Sequence, residues 1–215
     1  MTLVDLSHLI EDGMTLGLGT GSTVGFFLLA LARRKRSVRC VATSTGTETQ
    51  AAALGIAVEP FGGALYRLDL AVDGADQVGN DLWLVKGGGG AHTRERIVAA
   101  AAARFVVIAS SDKLVERVGP PVPLELLRFG LSATLRRLAD LGPVEVREAP
   151  ATPEGGVLAD YRGPVEDPAM LAAALAAVPG VVDHGLFPPS LVSSVLVGRA
   201  DGTAWAVTVG DGKAT

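Results

Sequence analysis

A single cysteine, Cys40, leaves this 215-residue chain no internal disulfide, which fits a protein kept in the reducing cytoplasm. No apolar run reaches the ~18 residues that a bilayer span requires. The opening Met1-Thr2-Leu3-Val4-Asp5 has neither the positive stretch nor the apolar core of a secretion signal. A membrane role is therefore not expected. The three histidines, His8, His92 and His184, are too scattered to form a metal-ligand set. Net charge is -4, so nucleic-acid binding would need a concentrated basic patch. The one dense basic run, Arg33-Arg34-Lys35-Arg36, closes a predicted helix, where positive charge complements the helix dipole. Disorder is excluded as well: 48 % of residues are apolar and the mean hydropathy is +0.37.

Glycine is abundant instead, with 27 of 215 residues against a usual share of ~7 %. Four stand together in Lys86-Gly87-Gly88-Gly89-Gly90-Ala91-His92-Thr93-Arg94-Glu95. Consecutive glycines let the backbone turn through positive φ and approach a ligand without side-chain obstruction. Their N–H groups form an anion-binding hollow, Lys86 adds a positive charge at its lip, and Glu95 follows in the first turn of a helix. An anion cradle, a cation and a carboxylate so close together point to an enzyme acting on a small anionic substrate.

Apolar runs separated by helical segments predict the architecture. Met14 to Leu18, Val38 to Thr43, Leu68 to Val72, Leu82 to Val85 and Phe105 to Ala109 read as strands apolar on both faces. Helices are expected from Val24 to Ala32, Thr47 to Leu54 and Thr93 to Ala103, the last from its alanines. Gly17 to Thr23 makes the first strand, turn and helix the opening unit of a Rossmann-like parallel sheet. After Gly119-Pro120-Pro121 the pattern changes to strand 122–127, helix 131–140, strands 143–148 and 157–161, helix 168–177 and strand 181–186. That β-α-β-β-α-β order is ferredoxin-like. Leu191 to Val197 and Ala204 to Val209 then read as a closing hairpin around Asp201-Gly202. The expected fold class is thus α/β. Residues 1–119 and 190–215 form a Rossmann-like domain, and 120–189 an inserted ferredoxin-like α+β domain.

Gly19-Thr20-Gly21-Ser22-Thr23, Asp73-Gly74-Ala75-Asp76, the Lys86 to Glu95 run and Lys113 follow one another in an order that resembles A-type ribose-5-phosphate isomerases. Pro123-Leu124-Glu125 and Gly180 to Phe187 add to the likeness, which extends from about residue 14 to 200. The resemblance implies interconversion of D-ribose 5-phosphate and D-ribulose 5-phosphate in the cytoplasm, without metal or organic cofactor, in a homodimer or homotetramer. It places substrate contacts on Thr20, Gly21, Ser22, Thr23, Asp73, Gly74, Ala75, Asp76, Lys86, Gly87, Gly88, Gly89 and Lys113. Glu95 falls on the family's proton acceptor.

The residue types suit that chemistry. Isomerisation moves a proton between C2 and C1 through an enediolate, so one positioned base must remove and return it, and Glu95 is the candidate. Lys86 and fixed N–H groups suit the charge that develops on oxygen. Asp73 and Asp76 end a strand, where open α/β sheets bind ligands, and suit sugar hydroxyls and a proton shuttle. Ser22 and Thr23 begin a helix, a natural phosphate seat, although both also suit ordinary helix caps. The chain also departs from the family. It begins late relative to that pattern, Gln77 and Ser110 stand where acids are common, His92 stands where an apolar residue is usual, and Thr152 to Gly156 differs from the typical turn. A non-catalytic sugar-phosphate sensor or an isomerase of another aldose phosphate is the competing reading. A sensor would need a DNA-binding helix-turn-helix, for which about a dozen residues precede the first strand.

Overall fold

The structure, a computed structural model, describes residues 6–198 and, by its backbone, the strand at 204–208. In chain order it holds β1 (Thr15–Leu18), α1 (Ser22–Arg34), β2 (Arg39–Ala42), α2 (Thr45–Ala53), β3 (Leu68–Gly74), β4 (Gln77–Gly79) and β5 (Leu84–Val85). Next come α3 (His92–Ala101), β6 (Ala102–Ser110), β7 (Leu114–Val115), β8 (Val122–Leu126), α4 (Leu131–Ala139) and β9 (Val144–Val146). The remainder is β10 (Val157–Tyr161), α5 (Pro168–Ala176), β11 (Val181–His184), β12 (Leu186–Phe187), β13 (Ser194–Gly198) and β14 (Ala204–Thr208). The chain divides into two compact units. One contains the residues up to Ala75, Arg94–Leu114 and those from Ser190; the other contains Asp76–Thr93 and Val115–Pro189.

The first unit is built on a six-stranded sheet in the order β14-β13-β6-β3-β1-β2. β13, β6, β3, β1 and β2 run parallel, and β14 pairs antiparallel with β13. The turn expected at Asp201-Gly202 lies outside the described residues. Helix α1 buries Val24, Phe27, Leu28 and Leu31, a spacing that places all four on one face. They pack with Leu16, Leu18, Leu70, Val72 and Cys40 in one apolar cluster. The helix stops at Lys35, whose left-handed φ of 48° and N–H to the Ala32 carbonyl form its C-terminal cap. Burial and, less strongly, the charge of Glu59 push the Cys40 thiol up to about 12, so it stays protonated and inert.

The chain leaves β1 for β2 on one side and then crosses to β3 on the other. The loops after β1 and β3 therefore flank a topological switch point. Helix α3 returns across this sheet. It joins β6 at Ala102, which pairs with Leu68, the first residue of β3, so α3 begins near the carboxyl ends of the strands. Its Val98 lies over Gly17, where an added Cβ would overlap it. Alanine content favours helix through Ala103, but Ala102 and Ala103 belong to β6. Pairing with β3 outweighs their helix preference.

The second unit contains a four-stranded antiparallel sheet in the order β11-β8-β10-β9. Counted along this segment the order is 4-1-3-2, the ferredoxin-like arrangement. Val122, Leu124, Leu126, Ala159 and Tyr161 face α4 and α5 through Leu138 and Leu175. Asp167 caps α5 by accepting from the N–H groups of Ala169 (2.9 Å) and Met170 (3.0 Å). The strand expected over 181–186 is two strands separated at Gly185. β11 pairs with β8, whereas β12 pairs with β5. Together with β4 and β7, which have no distinct apolar run, β12 and β5 form a small sheet in the order β12-β5-β4-β7. That pairing keeps Asp76–Thr93 in the second unit, although the sequence pattern joined it to the Rossmann-like part.

Candidate active site

In the first unit, the carboxyl ends of β1, β2, β3 and β6 bring several of the expected residues to one sheet edge. Asp73, 3 % exposed, accepts at Oδ1 from the N–H groups of Thr20 (3.0 Å) and Gly74 (2.7 Å). Its carboxylate is therefore held by backbone across the switch point. Gly19 has no room for a side chain, because a Cβ there would fall on the Asp73 carboxyl group. The Thr43 hydroxyl donates to the Leu18 carbonyl (3.3 Å), which leaves the Thr20 hydroxyl to donate to Thr43 (2.8 Å). Thr47 donates to the Gly19 carbonyl (2.7 Å). Thr43 and Thr47 thus brace the loop, a role that sequence alone reveals only once β2 is known to lie beside β1.

Gly21, with φ of 112°, is the N-cap of α1. No side chain caps that helix and its first turn carries no acid. Ser22, Thr23 and the positive helix end therefore suit an external anion. Lys113 closes a short 3-10 turn directly after β6, 3.8 Å from Asp112. The Ser110 hydroxyl, and to a smaller degree the Lys113 charge, holds the Asp112 carboxyl below its ordinary range. Glu95 is 5 % exposed and lies one helical turn before Val98. Since Val98 packs on mid-β1, Glu95 stands towards the sheet's carboxyl edge.

In the second unit, Lys86 is 2 % exposed, and its Nζ lies 5.6 Å from the centre of the Phe187 ring. Its backbone N–H donates to the Gly185 carbonyl (2.9 Å). Asp76 accepts at Oδ2 from the Gly88 N–H (2.7 Å), and its own N–H donates to Val85 (2.8 Å). Gly87 takes φ of 104° directly over His92, where a Cβ would come within 2.6 Å of the ring. Thr93 donates to Glu125, and so does Thr152, which gives that buried carboxylate two hydroxyl partners. Among the described residues no group of three or more His, Cys, Asp or Glu side chains is arranged to hold a metal ion.

The family model of ribose 5-phosphate isomerase A (phosphoriboisomerase A) matches residues 39–202. The chain is 45 % identical to a ribose-5-phosphate isomerase A from Caulobacter sp. (strain K31), over 91 % of both chains. This chain belongs to the ribose 5-phosphate isomerase A family. As a member of that family it is an isomerase. It superposes with a TM-score of 0.88 on the ribose 5 phosphate isomerase A of Neisseria gonorrhoeae, at 31 % identity, covering 94 % of this chain and 91 % of the other. A solved D-ribose-5-phosphate isomerase in complex with phospho-erythronic acid gives a TM-score of 0.86 at 30 % identity, covering 94 % and 93 %. The α/β fold with its parallel and antiparallel sheets is that of the family.

The positions expected to depart from the family pattern, Gln77 and the Thr152 to Gly156 turn, have local uses in this isomerase. The Gln77 amide donates to the Gly119 carbonyl (3.0 Å) and accepts from the Gly119 N–H (2.8 Å), so it pairs like a strand neighbour. An acid there would lose the donor half of that pair. In the Thr152 to Gly156 turn, the Gly156 N–H donates to the Thr152 hydroxyl (2.9 Å), and that hydroxyl points to Glu125. Gly156 is required because a Cβ would overlap the Glu125 side chain.

Proposed function

We propose that this chain interconverts D-ribose 5-phosphate and D-ribulose 5-phosphate in the cytoplasmic pentose phosphate pathway, with Glu95 as the base. Family membership supports the reaction. The observation that carries the mechanism is a buried carboxylate in the first turn of α3, towards the carboxyl edge of the parallel sheet.

In the open-chain aldose, Glu95 takes the proton from C2 and the electron pair moves through a new C1–C2 double bond onto O1. The enediolate so formed is reprotonated at C1 by the same carboxyl group while O2 gives up its proton and becomes the carbonyl. Lys86 and the N–H groups of Gly87 and Gly89 balance the oxyanion, while the Gly88 N–H is held by Asp76, and a donor fixed in advance does so without reorganising water. Asp73, whose orientation two backbone N–H groups set, carries the proton between O1 and O2. Asp76 binds a sugar hydroxyl alongside Gly74 and Ala75. Phosphate sits at the start of α1, on Thr20 to Thr23, with Lys113 as its cation. The shared fold with the relative solved in complex with phospho-erythronic acid supports a phosphorylated acyclic ligand here too.

The decisive experiment is direct assay of the purified protein on ribose 5-phosphate and other pentose and hexose phosphates, with chelator present. Rapid formation of ribulose 5-phosphate is expected; no conversion would overturn the reading. The assembly is expected to be a homodimer or homotetramer, and a monomeric mass by light scattering would refute this. Lys113→Ala should raise KM about tenfold with little change in kcat, because a phosphate contact far from C1 and C2 is equally strong in ground and transition states. An unchanged KM would remove Lys113 from the phosphate seat.

A further inference from the structure

The face of the antiparallel sheet turned away from α4 and α5 is not bare. Glu125 on β8 and Leu158 and Asp160 on β10 share that face, since Glu125 pairs with Leu158 and residues two apart on a strand point the same way. Leu158 lies against Gly90, where a Cβ would come within 2.5 Å of its methyl carbon. Arg147 follows β9, its own N–H donating to the Leu158 carbonyl (2.9 Å). Its guanidinium clasps Asp160 twice, Nε to Oδ2 (3.0 Å) and Nη2 to Oδ1 (2.7 Å). The remaining nitrogen, Nη1, donates to the carbonyls of Gly87 (2.9 Å) and Gly88 (3.3 Å).

Those two contacts, together with the Gly90 N–H that also donates to the Gly87 carbonyl (3.0 Å), set the direction of two peptide planes. A trans peptide points its C=O and N–H to opposite sides. With the Gly87 carbonyl on Arg147, the Gly88 N–H is turned to Asp76, where it is found. With the Gly88 carbonyl also on Arg147, the Gly89 N–H must face away from the sheet. Gly88 and Gly89 are exposed, and no hydrogen bond from the Gly89 N–H is found among the described residues. An ion pair serving the fold alone would need only the Asp160 contacts.

We propose that Arg147 is a positioning residue, clamped by Asp160, that turns the Gly89 N–H outward as a donor for the substrate oxyanion. The catalytic half of this inference rests on the isomerase reading above; the loop-orienting half does not. A lysine cannot substitute, because only a planar guanidinium reaches a carboxylate with two nitrogens and two carbonyls with the third.

The test compares Arg147→Met, Arg147→Lys and Asp160→Asn with wild type. Measured are kcat per folded molecule, KM, thermal midpoint and backbone hydrogen exchange over residues 86–91. Arg147→Met should lower kcat about 10- to 100-fold with KM within about threefold. That is less than the loss on deleting an oxyanion donor outright, because the donor is misaligned and still present. Exchange over the loop should accelerate. Arg147→Lys should recover the thermal midpoint but not kcat, and this variant decides the matter if the methionine form does not fold. Asp160→Asn should fall between wild type and Arg147→Met in kcat. Wild-type kcat and loop exchange in Arg147→Lys, or a loss confined to the thermal midpoint, would overturn the proposal. If the wild type fails to isomerise ribose 5-phosphate, the isomerase reading falls, and the exchange comparison still decides whether Arg147 holds the loop.

Discussion

Glu95→Gln is expected to lower kcat by about three to four orders of magnitude, with KM within a small factor of wild type. Glutamine keeps the size and the hydrogen-bonding capacity of the side chain but cannot accept a proton at neutral pH. The ground-state complex needs only the shape, whereas the transition state needs the base, so the loss falls on kcat. Solvent hydrogen exchange at C1 and C2 of the substrate should fall in parallel, because both directions use the same carboxylate. Glu95 also sits in the first turn of α3, where a negative charge stabilises a helix by about 0.3–1 kcal/mol. A small drop in thermal midpoint would reflect that contribution and not the chemistry. A variant with near-wild-type turnover would show that the proton is carried by another group.

Gly19→Ala tests the other half of the first unit's chemistry without touching an ionisable side chain. The methyl group would occupy the position of the Asp73 carboxyl group, which the Thr20 and Gly74 N–H groups hold in place. Either the carboxylate leaves those donors or the loop after β1 shifts, and both displace Asp73 from the switch point. Overpacking of this kind costs about 1–3 kcal/mol. In a chain of this size that corresponds to a fall in Tm of several degrees. The expected loss in kcat/KM is about 100-fold, since misplacing a positioned group by about 1 Å is worth that much. Gly46→Ala is the matching control. It lies within α2, where the nearest heavy atom to an added Cβ is the Ser44 hydroxyl at 3.8 Å, and alanine there should be neutral or slightly stabilising. Equal Tm and kcat/KM for the two alanine variants would mean that Asp73 needs neither its position nor its N–H partners.

The residues that accept these predictions differ in how far they could be read in advance. Glycine at 87 to 90, a lysine before it and a glutamate in the next helix turn are adjacent in the chain, so their juxtaposition is legible from local spacing alone. Helix α1 was equally legible, because Val24, Phe27, Leu28 and Leu31 repeat at the helical period and nothing distant competes for them. The parallel strands, apolar on both faces, and the 4-1-3-2 sheet also followed from local pattern and element order.

What the chain alone left undecided involves partners far apart in sequence. Ala102 and Ala103 favour helix locally and become strand only because β3 offers hydrogen bonds to that edge. The run 181–186 reads as one strand, yet β8 and β5 each claim part of it and the division falls at Gly185. Arg147 meets the Gly87 carbonyl across 60 positions, and no periodicity marks that pairing. Sequence determined most of the helices and longer strands, since these depend on neighbours within a few residues. Tertiary structure decided which carboxylates are held by backbone and which way the glycine peptides face. Those outcomes depend on which strands lie side by side, and only the closed sheets settle that.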